Sequence, residues 1–364
     1  MKKTVSVLMA AALCAAMIGG CSGGSQTGAT TAAGSETATS AAGETAKAEN
    51  KKIDKLNVYF VPSREPEEIV TATEPLKDML KSELGKEGYE IGEVVITVGT
   101  SYEAVGEALS AGTADIGLIP GGTYVLYDDG AEVVLTATRD ALNKNSDSPK
   151  DWNDGKATEG TTDQATSYRA LIIAGPSEKG KALADKVNKG EALTFEDLDG
   201  ANWSVMSSSS PAGYIYPSLW LQDNFQKNIL NLSHAVQSDS YGSAFARLAS
   251  GQVDVLCTYA DARRDYVDKW NSEYGRAGSI WEETGVIGVT PPIFNDTVSV
   301  SKTSKIMDDD FKKAVQNAFI NIGNTEEGRK VIAIYSHMGY EPAQSADYDN
   351  ERAAQKMIKE LNAK

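Results

Sequence analysis

Cysteine and histidine are nearly missing from this sequence: three cysteines, at positions 14, 21 and 257, and two histidines, at 234 and 337, occur in 364 residues. That is too few for a disulfide scaffold or a zinc site, and no other metal or cofactor is expected. Cys257 lies in an apolar, strand-like run and reads as a small buried hydrophobe. Basic residues are also in deficit, with 35 Lys and Arg against 51 Asp and Glu for a formal charge of −16. A balance of that sign argues against nucleic acid or an anionic membrane surface as partner. It leaves room for a small anion, because backbone dipoles make a pocket locally attractive inside an acidic protein.

A long apolar span is also lacking at the start, where the run from Val5 to Ile18 is too short to cross a bilayer comfortably. With Lys2 and Lys3 before it and Gly19-Gly20-Cys21 after it, the run reads as a signal peptide. Ile18-Gly19-Gly20-Cys21 resembles a bacterial lipobox, whose cysteine becomes lipid-modified; an ordinary secretory signal with an incidental cysteine is the alternative. On the lipobox reading residues 1–21 are a lipoprotein signal peptide with its lipobox ending at Cys21, the mature chain starts at Cys21, and acyl chains hold it at the outer face of a cell membrane. Without Lys2 and Lys3 the balance is 33 basic against 51 acidic residues, or −18. Residues 22–51 are Gly, Ser, Thr, Ala and Glu with almost no large apolar side chain, a flexible tether. Gly20, Ser22 and Gly24 spell G-x-S-x-G by chance, since no strand precedes them and no helix follows.

Order begins at Leu56, with strands at 56–61, 94–98 and 114–119 and helices at 67–84 and 102–111 between them. Strand and helix in this alternation predict a parallel sheet with right-handed crossovers. Residues 141–166, rich in Asn, Asp, Lys, Gly and Thr, read as an exposed loop. The alternation then resumes, with strands at 168–174 and 253–257, helices at 181–188, 241–250 and 260–270, a strand at 297–301 and closing helices at 309–322, 326–335 and 350–361. A local echo links the halves: Ala111-Gly112-Thr113-Ala114-Asp115-Ile116 and Ser250-Gly251-Gln252-Val253-Asp254-Val255 both place Gly at a helix end and Asp ahead of a strand. Strands that follow a complete second lobe suggest a chain that crosses back, which makes a hinge with a ligand cleft beside it.

Between the apolar runs 203–206 and 219–225 stands Ser207-Ser208-Ser209-Ser210-Pro211-Ala212-Gly213, a hydroxyl-rich turn entering a helix. Unpaired N–H groups at a helix start sit at the positive end of its dipole, and Ser hydroxyls beside them add donors, so such a turn is shaped to hold an anion. The plainer reading makes Ser210 an N-cap with Pro211 at the first helical position.

These features, with Val61-Pro62-Ser63, Glu65-Pro66, Ser101-Tyr102 and Met338-Gly339-Tyr340-Glu341-Pro342-Ala343, resemble the phosphate/phosphite/phosphonate-binding lipoproteins of bacterial ABC importers over residues 56–348. The resemblance implies an α/β, two-lobed type II periplasmic-binding fold with a hinge and an interlobe cleft: residues 52–165 and 292–364 form lobe 1, and 166–291 lobe 2. It places Tyr102 and Ser210 on a phosphonate oxygen, with Ser208 and Ser209 able to compensate through a shifted turn where Pro211 and Ala212 replace hydroxyl residues. It puts Tyr241 where the family often has a histidine, and Asp261 and Asp296 where carboxylates meet the ammonium of aminoalkylphosphonates. Each has a structural alternative: Tyr102 can pack its helix, Asp261 can cap one, and Asp296 can sit in a turn beside Asn295.

The expected function is that of an extracytoplasmic, lipid-anchored, monomeric binding protein, not an enzyme, which delivers a small phosphonate or related oxyanion to permease and ATPase subunits. The alternatives are a non-phosphorus anionic or cationic ligand on the same fold, and an extracellular enzyme or sensor on the same scaffold. Against an enzyme, neither His234 nor His337 stands in a nucleophile or metal pattern.

Overall fold

The computed structural model describes residues 50–362. The expected signal peptide, the lipidation site Cys21 and nearly all of the tether lie outside them. The described strands are β1 (Lys51–Phe60), β2 (Tyr89–Val98), β3 (Ile116–Ile119), β4 (Ala131–Leu142), β5 (Gly160–Ala165), β6 (Ser167–Ala174), β7 (Trp203–Val205), β8 (Ala235–Gln237), β9 (Val255–Tyr259), β10 (Gly285–Phe294), β11 (Thr297–Ser301) and β12 (Gly339–Pro342). They form two sheets: β12-β4-β11-β3-β1-β2 with β5 added to β4, and β10-β6-β9-β7-β8.

In the first sheet β1 pairs in parallel with β2 and β3, while β11 pairs antiparallel with both β3 and β4, and β12 antiparallel with β4. The predicted parallel sheet therefore holds for its first three strands only. The helix expected over 67–84 is two, Pro66–Thr73 and Leu76–Lys86. Pro75 separates them, because proline has no N–H for the ladder and its ring crowds the preceding turn. Residues 141–166 are not simply a loop: they contain β5 and a 3-10 turn, Pro149–Trp152, whose Trp152 is buried with its indole N–H donating to the Ser146 carbonyl at 3.0 Å.

The sequence echo is structural. Gly112 and Gly251 both end their helices at φ 74°, a left-handed conformation that glycine adopts without Cβ strain. Beyond them Asp115 Oδ2 accepts from Asn57 N and Nδ2 at 2.7 and 3.0 Å, and Asp254 Oδ2 accepts from Asn202 N and Nδ2 at 2.8 and 3.1 Å. Each aspartate thus ties the strand it opens to the neighbouring parallel segment of its own sheet.

The chain leaves the first sheet between β5 and β6 and returns between β10 and β11. The two crossings are bonded to each other: Asn295 N donates to Thr166 O at 2.9 Å, and Asn295 Nδ2 donates to Ala137 O and Ala165 O, both at 2.8 Å. Each sheet has its own apolar core. The last helix, Asp349–Asn362, follows β12 of the first sheet but sends Ala354 and Ile358 into the core of the second. Direct contacts join the halves. Arg64, just after β1, donates to the hydroxyls of Tyr259 and of Tyr266 (2.8 Å) and to Asp265 Oδ2 (2.6 Å), and Thr123 Oγ1 donates to Ser209 Oγ at 3.3 Å.

Candidate functional site

A cavity of about 40 Å³ lies between the two sheets. The first half contributes Arg64 after β1, Tyr102 at a helix start, Arg139 on β4 and Asp296 at the return crossing; the second contributes Tyr168 on β6, Ser210, Tyr241 and Tyr259. Tyr102 and Tyr241 are the first residues of the helices Tyr102–Ala111 and Tyr241–Ser250, with Ser101 and Ser240 as N-caps. The residues that open two helices therefore line the same small space.

Four expected site residues, Tyr102, Ser210, Tyr241 and Asp296, meet in this cavity. Burial raises the Tyr102 and Tyr241 phenols far above their ordinary range, so both stay protonated and can donate. The Ser210 and Tyr241 hydroxyl oxygens are 3.5 Å apart. Ser210 also satisfies the plainer reading, since its Oγ accepts from Gly213 N at 3.2 Å with Pro211 next in the chain.

Three expected residues stand elsewhere. Ser210 N donates to Ser207 O at 2.9 Å, closing a turn with Ser208 at its outer corner, so Ser208 is exposed and lines neither this cavity nor the larger one beside it. Ser209 is buried against Thr123 and Ser207. Asp261 lines the larger cavity, but its carboxylate is taken up by Arg263 (Nη2 to Oδ2, 2.8 Å) and Thr158 (Oγ1 to Oδ2, 2.9 Å), all buried.

Arg64 and Arg139 belong to the site and carry no local motif that would have marked them. Arg64 is spent on the other half. Arg139 Nη2 donates to Asp296 Oδ2 at 3.0 Å, its guanidinium lies 4.3 Å from the Tyr168 ring centroid, and its buried Nε has no partner. Burial alone would raise the Asp296 carboxyl; the Arg139 guanidinium and the His337 ring, 3.3 Å away, more than offset it and hold the carboxyl below its usual range. Burial in turn lowers the His337 imidazole, which favours its neutral form. The larger cavity, about 300 Å³, shares Arg139, Tyr168, Tyr259 and Ser336 with the first.

Residues 58–348 match the family described as "ABC transporter, phosphonate, periplasmic substrate-binding protein". Among curated protein sequences none matches. The fold is shared with a binding protein component of an ABC phosphonate transporter from Pseudomonas aeruginosa, at 14% identity, covering 85% of this chain and 88% of that one with a TM-score of 0.60. A Prochlorococcus marinus protein in complex with methylphosphonate aligns at 14% identity over 84% and 98% of the two chains, TM-score 0.58. A Xanthomonas citri protein bound to ATP aligns at 12% identity over 85% and 99%, TM-score 0.59.

Proposed function

The chain belongs to the family of periplasmic substrate-binding proteins of phosphonate ABC transporters, and we propose that it captures its ligand's phosphorus oxyanion in the small cavity at Tyr102, Ser210, Tyr241 and Arg139. The family implies a small-molecule ligand, a location outside the cytoplasm and a permease as partner. One observation carries the site assignment: the hydroxyl-bearing residues Tyr102, Ser210 and Tyr241 and the guanidinium of Arg139 line one small cavity, in which the Asp296 carboxylate is paired with Arg139. Charge-assisted bonds from Arg139 replace the donors that Pro211 and Ala212 cannot supply. The structural relatives solved with methylphosphonate and with ATP have a phosphorus oxyanion in common, which supports the same chemistry here.

A cationic or ammonium-bearing ligand is less well supported, because Asp296 is paired with Arg139 and Asp261 with Arg263. In this reading Asp296 positions Arg139 rather than meeting the ligand. The protein acts by binding and release, without catalysis, as a monomer held to the membrane through Cys21.

Calorimetric titration with methylphosphonate, phosphite, phosphate and 2-aminoethylphosphonate tests the assignment. At least one should bind more tightly than about 10 μM, roughly −7 kcal/mol. Binding of none of them, or binding unchanged by Tyr102→Phe and Arg139→Gln, would overturn it.

A further inference from the structure

The two cavities of the cleft differ greatly in size. The one at Tyr102, Ser210 and Tyr241 measures about 40 Å³, room for about three waters and hence for the terminal oxygens of one tetrahedral phosphorus group. The other measures about 300 Å³, the scale of a pocket that encloses an organic ligand. Arg139, Tyr168, Tyr259 and Ser336 line both. A molecule held by its oxyanion in the first therefore extends into the second past the Arg139–Tyr168 stack, and a methyl group would leave the second almost unfilled.

We propose that the ligand is a phosphonate or a phosphate monoester whose bulky organic substituent occupies the larger cavity. This rests on the anion-binding reading above. The lining defines the substituent's chemistry. Its charged residues are Arg139, Lys144, Arg169 and Arg264 against Asp140, Asp261 and Asp265, four positive and three negative, or +1 in a chain of −16. All seven are paired: Asp140 with Arg264 at 3.3 Å, Asp261 with Arg263 at 2.8 Å, Asp265 with Arg64 at 2.6 Å, Arg139 with Asp296 at 3.0 Å, Lys144 with Asp154 at 2.5 Å and Arg169 with Asp147 at 2.6 Å. An ammonium group gains little there. With every charge in the lining paired, and with Leu142, Trp152, Tyr168 and Tyr259 among its residues, the cavity suits an uncharged ring or hydroxylated chain. Residues 140–142, Lys144, Asn145 and Trp152, in and beside the polar insertion, belong to the lining.

The test is a titration ladder on the full chain with methylphosphonate, 2-aminoethylphosphonate, phenylphosphonate, phenyl phosphate and ribose 5-phosphate. At least one of the last three should bind about tenfold more tightly than methylphosphonate; the phenylphosphonate and phenyl phosphate arms separate a phosphonate from an ester. Filling the cavity by Ala141→Trp or Ser167→Trp should weaken the favoured probe about tenfold and leave methylphosphonate within about threefold. The inference is overturned if methylphosphonate or 2-aminoethylphosphonate binds at least as tightly as every bulkier probe, or if the filled variants bind the favoured probe as before. Should the variants fail to fold, the ladder alone decides. Binding of no probe at all would instead overturn the anion-binding reading.

Discussion

Arg139 Nη2 donates to Asp296 Oδ2 at 3.0 Å, so the carboxylate expected to meet a ligand's ammonium is engaged by a guanidinium of the same site. Arg139→Gln should weaken methylphosphonate roughly 10- to 100-fold, the ~1.5–3 kcal/mol typical of hydrogen bonds to a charged group. Asp296→Asn separates the two roles of the carboxylate. If it orients Arg139, methylphosphonate and 2-aminoethylphosphonate change affinity by the same factor. A loss confined to 2-aminoethylphosphonate in titrations would restore the ammonium role and sink the positioning one.

Asp261 leads to a different expectation. Its side chain and that of Arg263 are both fully buried, and Arg263 Nε also donates to Asp261 Oδ1 at 3.1 Å. Removing one partner of a buried pair leaves an uncompensated charge, at a cost of about 3–5 kcal/mol. Asp261→Ala should therefore lower the denaturant midpoint sharply, while the folded fraction binds methylphosphonate as before. An undiminished midpoint would show that the pair is not structural.

The serine run sorts by the turn that carries it. Ser210→Ala removes both a cap, worth about 1 kcal/mol, and a hydroxyl facing the cavity, so stability and methylphosphonate affinity should fall together. Ser208→Ala, at the exposed corner of the turn, should change neither. Thermal melts with and without methylphosphonate check both variants, and a Ser208 effect on affinity would mean that the turn rearranges around ligand.

What the sequence made legible follows from how local each signal is. Helices 102–111 and 241–250 have caps at both ends, Ser101 with Gly112 and Ser240 with Gly251, and their limits are those expected. Tyr102 and Tyr241 could be found because both open such helices. Arg139 could not, because it sits inside β4 and only the return of the chain through Asn295 and Asp296 brings a carboxylate beside it. The outward turn of Ser208 was hidden for the same kind of reason: a run of identical residues does not say which of them the Ser207–Ser210 hydrogen bond will point at solvent. Asp261 fell where family likeness put a ligand carboxylate, yet Arg263 two residues on claims it.

The last helix supplies a pH dependence. Tyr216 OH donates to Glu351 Oε1 at 2.7 Å, but Oε2 is buried without a partner. Burial, only partly opposed by the Tyr216 bond, raises the Glu351 carboxyl from 4.5 to about 7. Between those values the folded chain holds a proton that the unfolded chain has released. Its contribution is therefore fully present below pH 4.5 and lost as pH rises through about 7. The shift corresponds to roughly 3 kcal/mol. Denaturant unfolding of the wild type and of Glu351→Gln at several values across that window should show the wild type losing stability relative to the variant as pH rises. Parallel curves would mean that Glu351 is already ionised in the fold.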